Sequence, residues 1–527
     1  MNVQTGGVVT RMSPWRHLIR TSVGALTALL LLVLVPPTAS SASDGGGDRF
    51  TKPRTVVTTD MEQDDYASLI RYLLYTNDLD TEGIIYTSGR FHWAGDGKGT
   101  LFYLPGREYT TPQTSWRWTG TRTIQDLALK AYAKVYPNLR AHDRDYPTPA
   151  ELYSKVAVGN IDFENSMDRD TPGSDLIKRL LLDDDPRPLY LQAWGGTNTI
   201  ARALKSIADQ YQGSPRWSQI RDKVTRKAVI LASGFQDLTY EQYIAPQWPK
   251  IRIENLQAGY ATWGYNCNRN GQGNVRGLPA DRQYFKGAWI KKNIQVGPLG
   301  SLYRSWLDGQ AMPGDQLDIF GDPVLAAKGW CSPLEPYDFL SEGDNVAYMS
   351  LLHTGIEAPQ EPSRGGWGGR ATQVSASPEL WTSVNTEKDA TGADVTAYPT
   401  LRWAGAAQND FAARMQWTLS PRGGNHAPRV SIPGPDQISV RAGTQVKLRG
   451  VGVDPDRDHL GYKWWQYAEE GTYPGSVGIA GADGRTATVS VPSDAQRGQT
   501  ISLILQVTDD GSSFPLTRYA RVTLRVR

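Results

Sequence analysis

The sequence predicts an α/β domain built on a mostly parallel sheet flanked by helices, followed by an all-β immunoglobulin-like sandwich. Three observations predict it. From Arg54 to about Arg414, short β-branched or apolar runs alternate with segments of helical periodicity, the order that a parallel sheet with crossover helices requires. From Arg429 the pattern changes to about six or seven short alternating strands with turn signals and no helix. The length, 527 residues, is also more than one ordinary domain needs.

Residues 1–42 read as an address. Arg11, Arg16 and Arg20 precede the apolar run Val23 to Val35, Pro36-Pro37 closes it, and small residues lead to a cleavage point near Ala42. The apolar run is shorter than the ~20 residues of a spanning helix, so a stable membrane anchor is not expected and the chain is predicted to be secreted. Residues 43–52 are a Gly-rich flexible linker. Residues 53–424 form the expected α/β domain, and Asn425-His426-Ala427-Pro428 opens the β-sandwich at 425–527.

The charge is nearly balanced, 56 basic against 54 acidic residues, which argues against a nucleic-acid partner. Trp and Tyr number 17 and 25; their flat faces with a polar edge suit sugar stacking as well as core filling. Only Cys267 and Cys331 are present, open to one disulfide or two buried thiols. Nothing in the sequence speaks to oligomeric state.

The first strand, Arg54 to Val57, runs into Thr58-Thr59-Asp60-Met61-Glu62-Gln63-Asp64-Asp65. Tyr66, Leu69, Ile70, Leu73 and Leu74 then recur at helical spacing, so the acidic stretch is a strand-to-helix turn. Helix-start amides can offset Asp64 and Asp65, but not Asp60 and Glu62. One reading is an exposed turn with a capped helix. The other is a hard cation: calcium takes six to eight oxygen ligands, and magnesium is equally compatible with carboxylates. The stretch has no Cys or His, which argues against zinc. In open α/β sheets ligands sit at such strand ends.

A second strand, Thr81 to Thr87, ends at Ser88-Gly89-Arg90. A polar, aromatic insertion follows to about Asn160, with a helix near Ile124 to Val135. Pro172 to Leu182 patterns as a helix, Pro188 to Ala193 as a buried strand, and Trp194-Gly195-Gly196-Thr197-Asn198 as the turn into the next helix. Lys227 to Ala232 and Ile251 to Asn255 are further strands. In Glu342-Gly343-Asp344-Asn345-Val346-Ala347, Asp344 stands before an apolar helical run, where an N-cap is the simple reading. Trp367, between glycines and flanked by Arg364 and Arg370, fits either a sugar-stacking lid or a structural turn.

The spacing from Asp60 to Asp64-Asp65 after a hydrophobic strand resembles the calcium signature of nucleoside hydrolases, and Gly196-Thr197-Asn198 and Asp344 fall where that family has matching motifs. The resemblance implies a nucleoside hydrolase-like domain with calcium held by Asp60, Asp64, Asp65, the Ala193 carbonyl and Asp344. It implies Asp60 as the catalytic base, and Arg90, Asn198, Glu342 and Trp367 as substrate contacts. Two positions depart from it: Thr58 replaces an Asp, and Gly343 replaces a His that protonates the leaving group, leaving Glu342, His353 or His92 for that task. Trp464-Trp465-Gln466-Tyr467 and a cadherin- or immunoglobulin-like C-terminal domain extend the likeness to exported nucleoside hydrolase-like proteins, some labelled cellulose-binding. The expectation is a secreted, calcium-dependent hydrolase of an N-glycosyl or other glycosyl bond in a sugar-containing small molecule or polysaccharide. The alternative is a carbohydrate-binding protein without catalysis.

Overall fold

The computed structural model describes residues 51–264, 277–318, 320–328, 335–338, 342–389, 391–511 and 513–527. The expected signal peptide, most of the linker, and Cys267 and Cys331 lie outside the described residues.

Eight strands form the main sheet: β1 (Arg54–Thr59), β2 (Asp80–Tyr86), β3 (Val156–Val158), β4 (Leu189–Ala193), β5 (Ala228–Ala232), β6 (Arg252–Asn255), β7 (Ala371–Ala376) and β8 (Glu379–Ser383). Their order is β3-β2-β1-β4-β5-β6-β8-β7, and every pair is parallel except β7 with β8. β1, β4 and β5 are buried along their whole length, which is why they read as continuous apolar or β-branched runs. Successive side chains point to opposite faces. Val57, Ile84 and Leu231 join the core on one face, and Val56, Ile85 and Ile230 the core on the other.

Helices occupy both faces, among them α1 (Gln63–Leu73), Pro172–Leu182, Asn198–Tyr211 and Ala404–Trp417. The helix expected near Ile124 begins as a π-helical turn, Ile124–Leu129, and continues as an α-helix, Lys130–His142.

After a small hairpin, β9 (Thr386–Lys388) with β10 (Asp394–Thr396), and the helices Tyr398–Leu401 and Ala404–Trp417, the chain turns all-β. Its strands are β11 (Arg429–Ser431), β12 (Gln437–Val440), β13 (Gln445–Arg449), β14 (Val451–Val453), β15 (Leu460–Gln466), β16 (Gly478–Ala480), β17 (Thr486–Ser490), β18 (Thr500–Asp509) and β19 (Thr517–Val526). They pair as β12-β19-β18-β15, β13-β17-β16 and β11-β14. Trp464, Leu503 and Val522 lie in a core of their own between these sheets. The α/β part packs against the β15–β18–β19 sheet: Tyr519, on the face opposite that core, packs edge-on against Trp403, and Arg518 pairs with Asp410 at 2.8 Å and Arg364 with Glu470 at 2.7 Å.

Candidate metal centre

The chain runs outward from β1 to β2 and β3, then returns to build β4, β5 and β6 on the other side of β1. The order therefore reverses between β1 and β4, and their carboxyl ends flank a crevice where open α/β sheets place ligands. Asp60 follows β1, and Trp194-Gly195-Gly196 follows β4.

Thr59 and Met61 shape the acidic turn. Met61 takes a positive φ of 53°, and its N–H donates to Thr59 Oγ1 and to Asp65 Oδ2, both at 3.0 Å. The Thr59 hydroxyl donates to the same Asp65 oxygen at 2.5 Å. One oxygen of Asp65 is thus fixed by local donors while Oδ1 is left buried without a partner. Ser68, one turn into α1, accepts from the Asp344 N–H at 3.2 Å and ties the late acidic segment to the early one.

Asp64, Asp65 and Asp344 each bring an oxygen within 4.8 Å of the others. Asp60 adjoins them: it is fully buried, and Asp65, Glu62 and Asp64 all act on its charge. Both oxygens of Asp60, Oδ1 of Asp65 and Oδ2 of Asp344 are buried with no hydrogen-bond partner. Burial, and next the charge of Asp65, push Asp60 and Asp344 well above the ordinary aspartate range. Burial raises Asp65 as well, against the Thr59 hydroxyl, whose donated hydrogen bond lowers it. A hard divalent ion fits this donor set, because every orphaned atom is a carboxyl oxygen and such charges are retained in an interior only when something offsets them.

Close backbone approach makes the cluster possible. A Cβ on Gly89 would stand 2.2 Å from Asp60 Oδ2, and one on Gly195 would stand 2.7 Å from Asp60 Cγ, so both loops need glycine. Above them opens a cleft of about 670 Å³ whose lining includes Glu62, Asp64, Arg90, Phe235 and Gln236.

Three residues at this cleft were not singled out from the sequence as site residues. Glu62 sits between His92 (3.8 Å) and Arg117 (3.6 Å). Burial would raise its carboxyl, but these two partners outweigh that and hold it below the usual range. Arg117 also pairs with Asp315 at 2.8 Å, which gives the acidic loop after Met312 a role. Gln236 donates from Nε2 to the Trp194 carbonyl at 2.7 Å and keeps Oε1 without a partner. Its position just beyond β5 was the available signal.

Three expected contacts need correction, and a fourth, the Ala193 carbonyl, is partly engaged. The Ala193 carbonyl accepts from the Ser233 N–H at 3.0 Å in the β4–β5 ladder, and the Trp194 carbonyl beside it accepts from Gln236 Nε2 at 2.7 Å, so each has one of its two lone pairs already engaged. Asn198 is buried and saturated: its amide donates to Ser88 Oγ, Asn160 O and Ser166 O, and its oxygen accepts from Thr87. Glu342 is fully buried in an ion pair with Arg71 at 2.6 Å and accepts from Tyr303 and Asn345. Trp367 is 1% exposed, packed among Ile356, Tyr519 and the Arg518 guanidinium, and closes nothing. Arg90, by contrast, stands exposed at the cleft and donates to Gly106 O at 2.8 Å. Among the three alternative proton donors, His92 adjoins Glu62, whereas His353 pairs with Glu357 near Asp78, at the far end of α1.

A parallel sheet with an acidic turn at its switch point and an all-β appendage defines a nucleoside hydrolase-like protein. The chain belongs to the family described as cellulose-binding Sde182, nucleoside hydrolase-like domain, which matches residues 54–371. Residues 445–526 match the C-terminal domain of cellulose-binding protein Sde0182. Among solved structures the chain is similar to a nucleoside hydrolase-related hypothetical protein from Saccharophagus degradans that is associated with carbohydrate metabolism. The two share 26% identity with a TM-score of 0.65, over 90% of this chain and 100% of that one. A plant nucleoside hydrolase aligns over 70% of this chain and 99% of its own at 11% identity and a TM-score of 0.32, a likeness too weak to argue from. No curated protein matches the chain.

Proposed function

We propose that this protein holds a calcium ion at the sheet's switch point and there cleaves a glycosyl bond, an N-glycosyl bond first, of a sugar-containing molecule. The observation that carries the reading is the set of four buried carboxyl oxygens without partners on Asp60, Asp65 and Asp344. An ion bound there would gather sugar hydroxyls and lower the pKa of a water. Asp65 and Asp344 serve as fixed anchors, the first set by Thr59 and Met61, the second by Ser68. Asp64, at the cleft wall, supports them. Asp60, ionised once a cation offsets its neighbours, takes the proton of the attacking water, a contribution of ~10²–10⁴-fold. Glu62, Arg90 and Gln236 face the cleft and receive sugar hydroxyls. His92, buried 3.8 Å behind Glu62, supplies a proton to the leaving group through the Glu62 carboxyl, which lines the cleft, in place of the His that the resemblance puts at Gly343.

A second reading, polysaccharide binding without turnover, is favoured by the family's description as cellulose-binding and by Thr58 and Gly343 standing where nucleoside hydrolases carry reactive side chains. Purified protein assayed on nucleosides, aryl ribosides and plant-wall oligosaccharides, with calcium or chelator, separates the two. Calcium-dependent turnover that disappears in Asp60→Asn supports hydrolysis. Saturable retention on cellulose with no turnover supports binding alone.

Export belongs to the same proposal. Among the described residues no helix is long and apolar enough to cross a membrane. A mature protein that starts just after Ala42 supports secretion, and one that still starts at Met1 contradicts it.

A further inference from the structure

A second cleft, distinct from the acidic one, opens between the outer face of the β15–β18–β19 sheet and the segments Tyr398–Leu401 and Ala404–Trp417, with a volume of about 830 Å³. Its construction follows from strand alternation. On β15, Trp464 enters the sandwich core while Lys463 and Trp465 point the other way. Lys463 is opposite Gln506, which is opposite Tyr519; Thr508 is opposite Thr517. A row of polar groups therefore runs across this face beside a half-buried indole.

The facing wall contributes Tyr398 and Asn409. Arg402 lies with its guanidinium 5.1 Å from the Trp465 ring and 4.8 Å from the Tyr398 ring. That guanidinium is already matched by Glu469 at 3.3 Å and Glu387 at 3.5 Å, so it does not call for an anion. Across the lining, Lys388, Arg402 and Lys463 balance Asp281, Asp389 and Glu469. Balanced charge, aromatic faces and a mixed polar row suit a neutral ligand rich in hydroxyls, and an open groove admits a polymer that continues past its ends.

We infer that this groove binds a neutral polysaccharide chain, a β-glucan of the cellulose type, with Trp465 as the stacking surface and Lys463, Gln506 and Asn409 as hydroxyl partners. The inference rests on the polysaccharide-binding reading and not on hydrolysis. It places polymer capture at the junction with the sandwich, apart from the acidic cluster.

The test is retention of the full mature chain on microcrystalline cellulose, with cellohexaose titrated by tryptophan fluorescence. Trp465→Ala is compared with the double variant Lys463→Ala/Gln506→Ala, whose side chains are on the sheet face and not in a core. Each is first shown to melt as wild type does. The expected result is a loss of about tenfold in affinity for Trp465→Ala and a smaller loss for the double variant. Chelator, Asp65→Asn and high salt leave retention in place. Wild-type retention in both variants overturns the inference. So does retention that chelator or Asp65→Asn abolishes, which would put the polymer in the acidic cleft, and so does a wild-type chain that ignores cellulose. Absence of turnover touches only the hydrolase reading. Should Trp465→Ala melt early, the double variant alone decides.

Discussion

Asp65 and Asp344, from opposite ends of the α/β domain's sequence, bring carboxyl oxygens within 4.8 Å of one another, and each carries one buried oxygen without a hydrogen-bond partner. Two like charges that close in a desolvated setting are costly unless a proton or a cation lies between them. The chemistry of the site turns on which of the two is present.

That competition sets a pH dependence. In the cation-free protein, burial and neighbouring carboxylates hold Asp60 and Asp344 well above the ordinary aspartate range. As pH rises past that range, the unfolded chain gives up protons that the folded one keeps, so the stability of chelated protein falls until the raised values are passed. A cation displaces those protons, so its affinity rises with pH. Melting curves from about pH 5 to about pH 8, with calcium and with chelator, check this. The gap between them widens with pH; a constant gap would argue against a carboxylate site.

Gly343 is where the resemblance to nucleoside hydrolases calls for His. A Cβ there would stand 2.3 Å from Asp64 Oδ2 and 2.6 Å from the Tyr260 ring. Gly343→Ala is therefore expected to displace Asp64, to weaken calcium binding, and to destabilise by ~1–3 kcal/mol. Gly343→His does more harm than Ala instead of restoring an acid. Calorimetric titration and thermal melts of both variants measure it, and an unaltered calcium affinity would show that Asp64 is not part of the site.

Glu342 supports the site from below. Replacing it with Gln leaves the fully buried Arg71 guanidinium without its counter-charge, at a cost of ~3–5 kcal/mol. Denaturant unfolding reads the loss. If stability held and only turnover fell, Glu342 would instead be a group that meets substrate.

Trp367→Ala removes a core side chain between the α/β part and β19. The expected loss is ~3–5 kcal/mol with no change in sugar affinity for the folded fraction. Weaker sugar binding at unchanged stability would reinstate the lid.

The centre of the main sheet was legible because β1, β4 and β5 are buried along their whole length and read as continuous apolar or β-branched runs. The runs at Arg54, Thr81, Pro188, Lys227 and Ile251 became β1, β2, β4, β5 and β6, and six of the later strands fell where alternation marked them. β3, β9, β10, β11, β14 and β16 were missed because three residues hold too few periods to register, and β7 and β8 because they show neither a continuous apolar run nor a clean alternation. At the site, the meeting of Asp64, Asp65 and Asp344 was legible only through the resemblance to nucleoside hydrolases, since Asp344 by itself reads as an N-cap. The contacts of Asn198, Glu342 and Trp367 were not, because a polar or aromatic residue near a strand end looks the same whether it faces a cleft or closes a buried network. Only the partners decide: Ser88 and Asn160 for Asn198, Arg71 for Glu342, Arg518 for Trp367. Arg117 was hidden for the opposite reason, since its partners Glu62 and Asp315 are far apart in sequence.

The most direct test of the central claim is calcium titration of chelator-stripped protein by calorimetry, comparing wild type with Asp65→Asn and Asp344→Asn. The account predicts one site, at the switch point, that each substitution abolishes even though the two residues come from distant segments. Calcium binding that survives unchanged in both variants would contradict it.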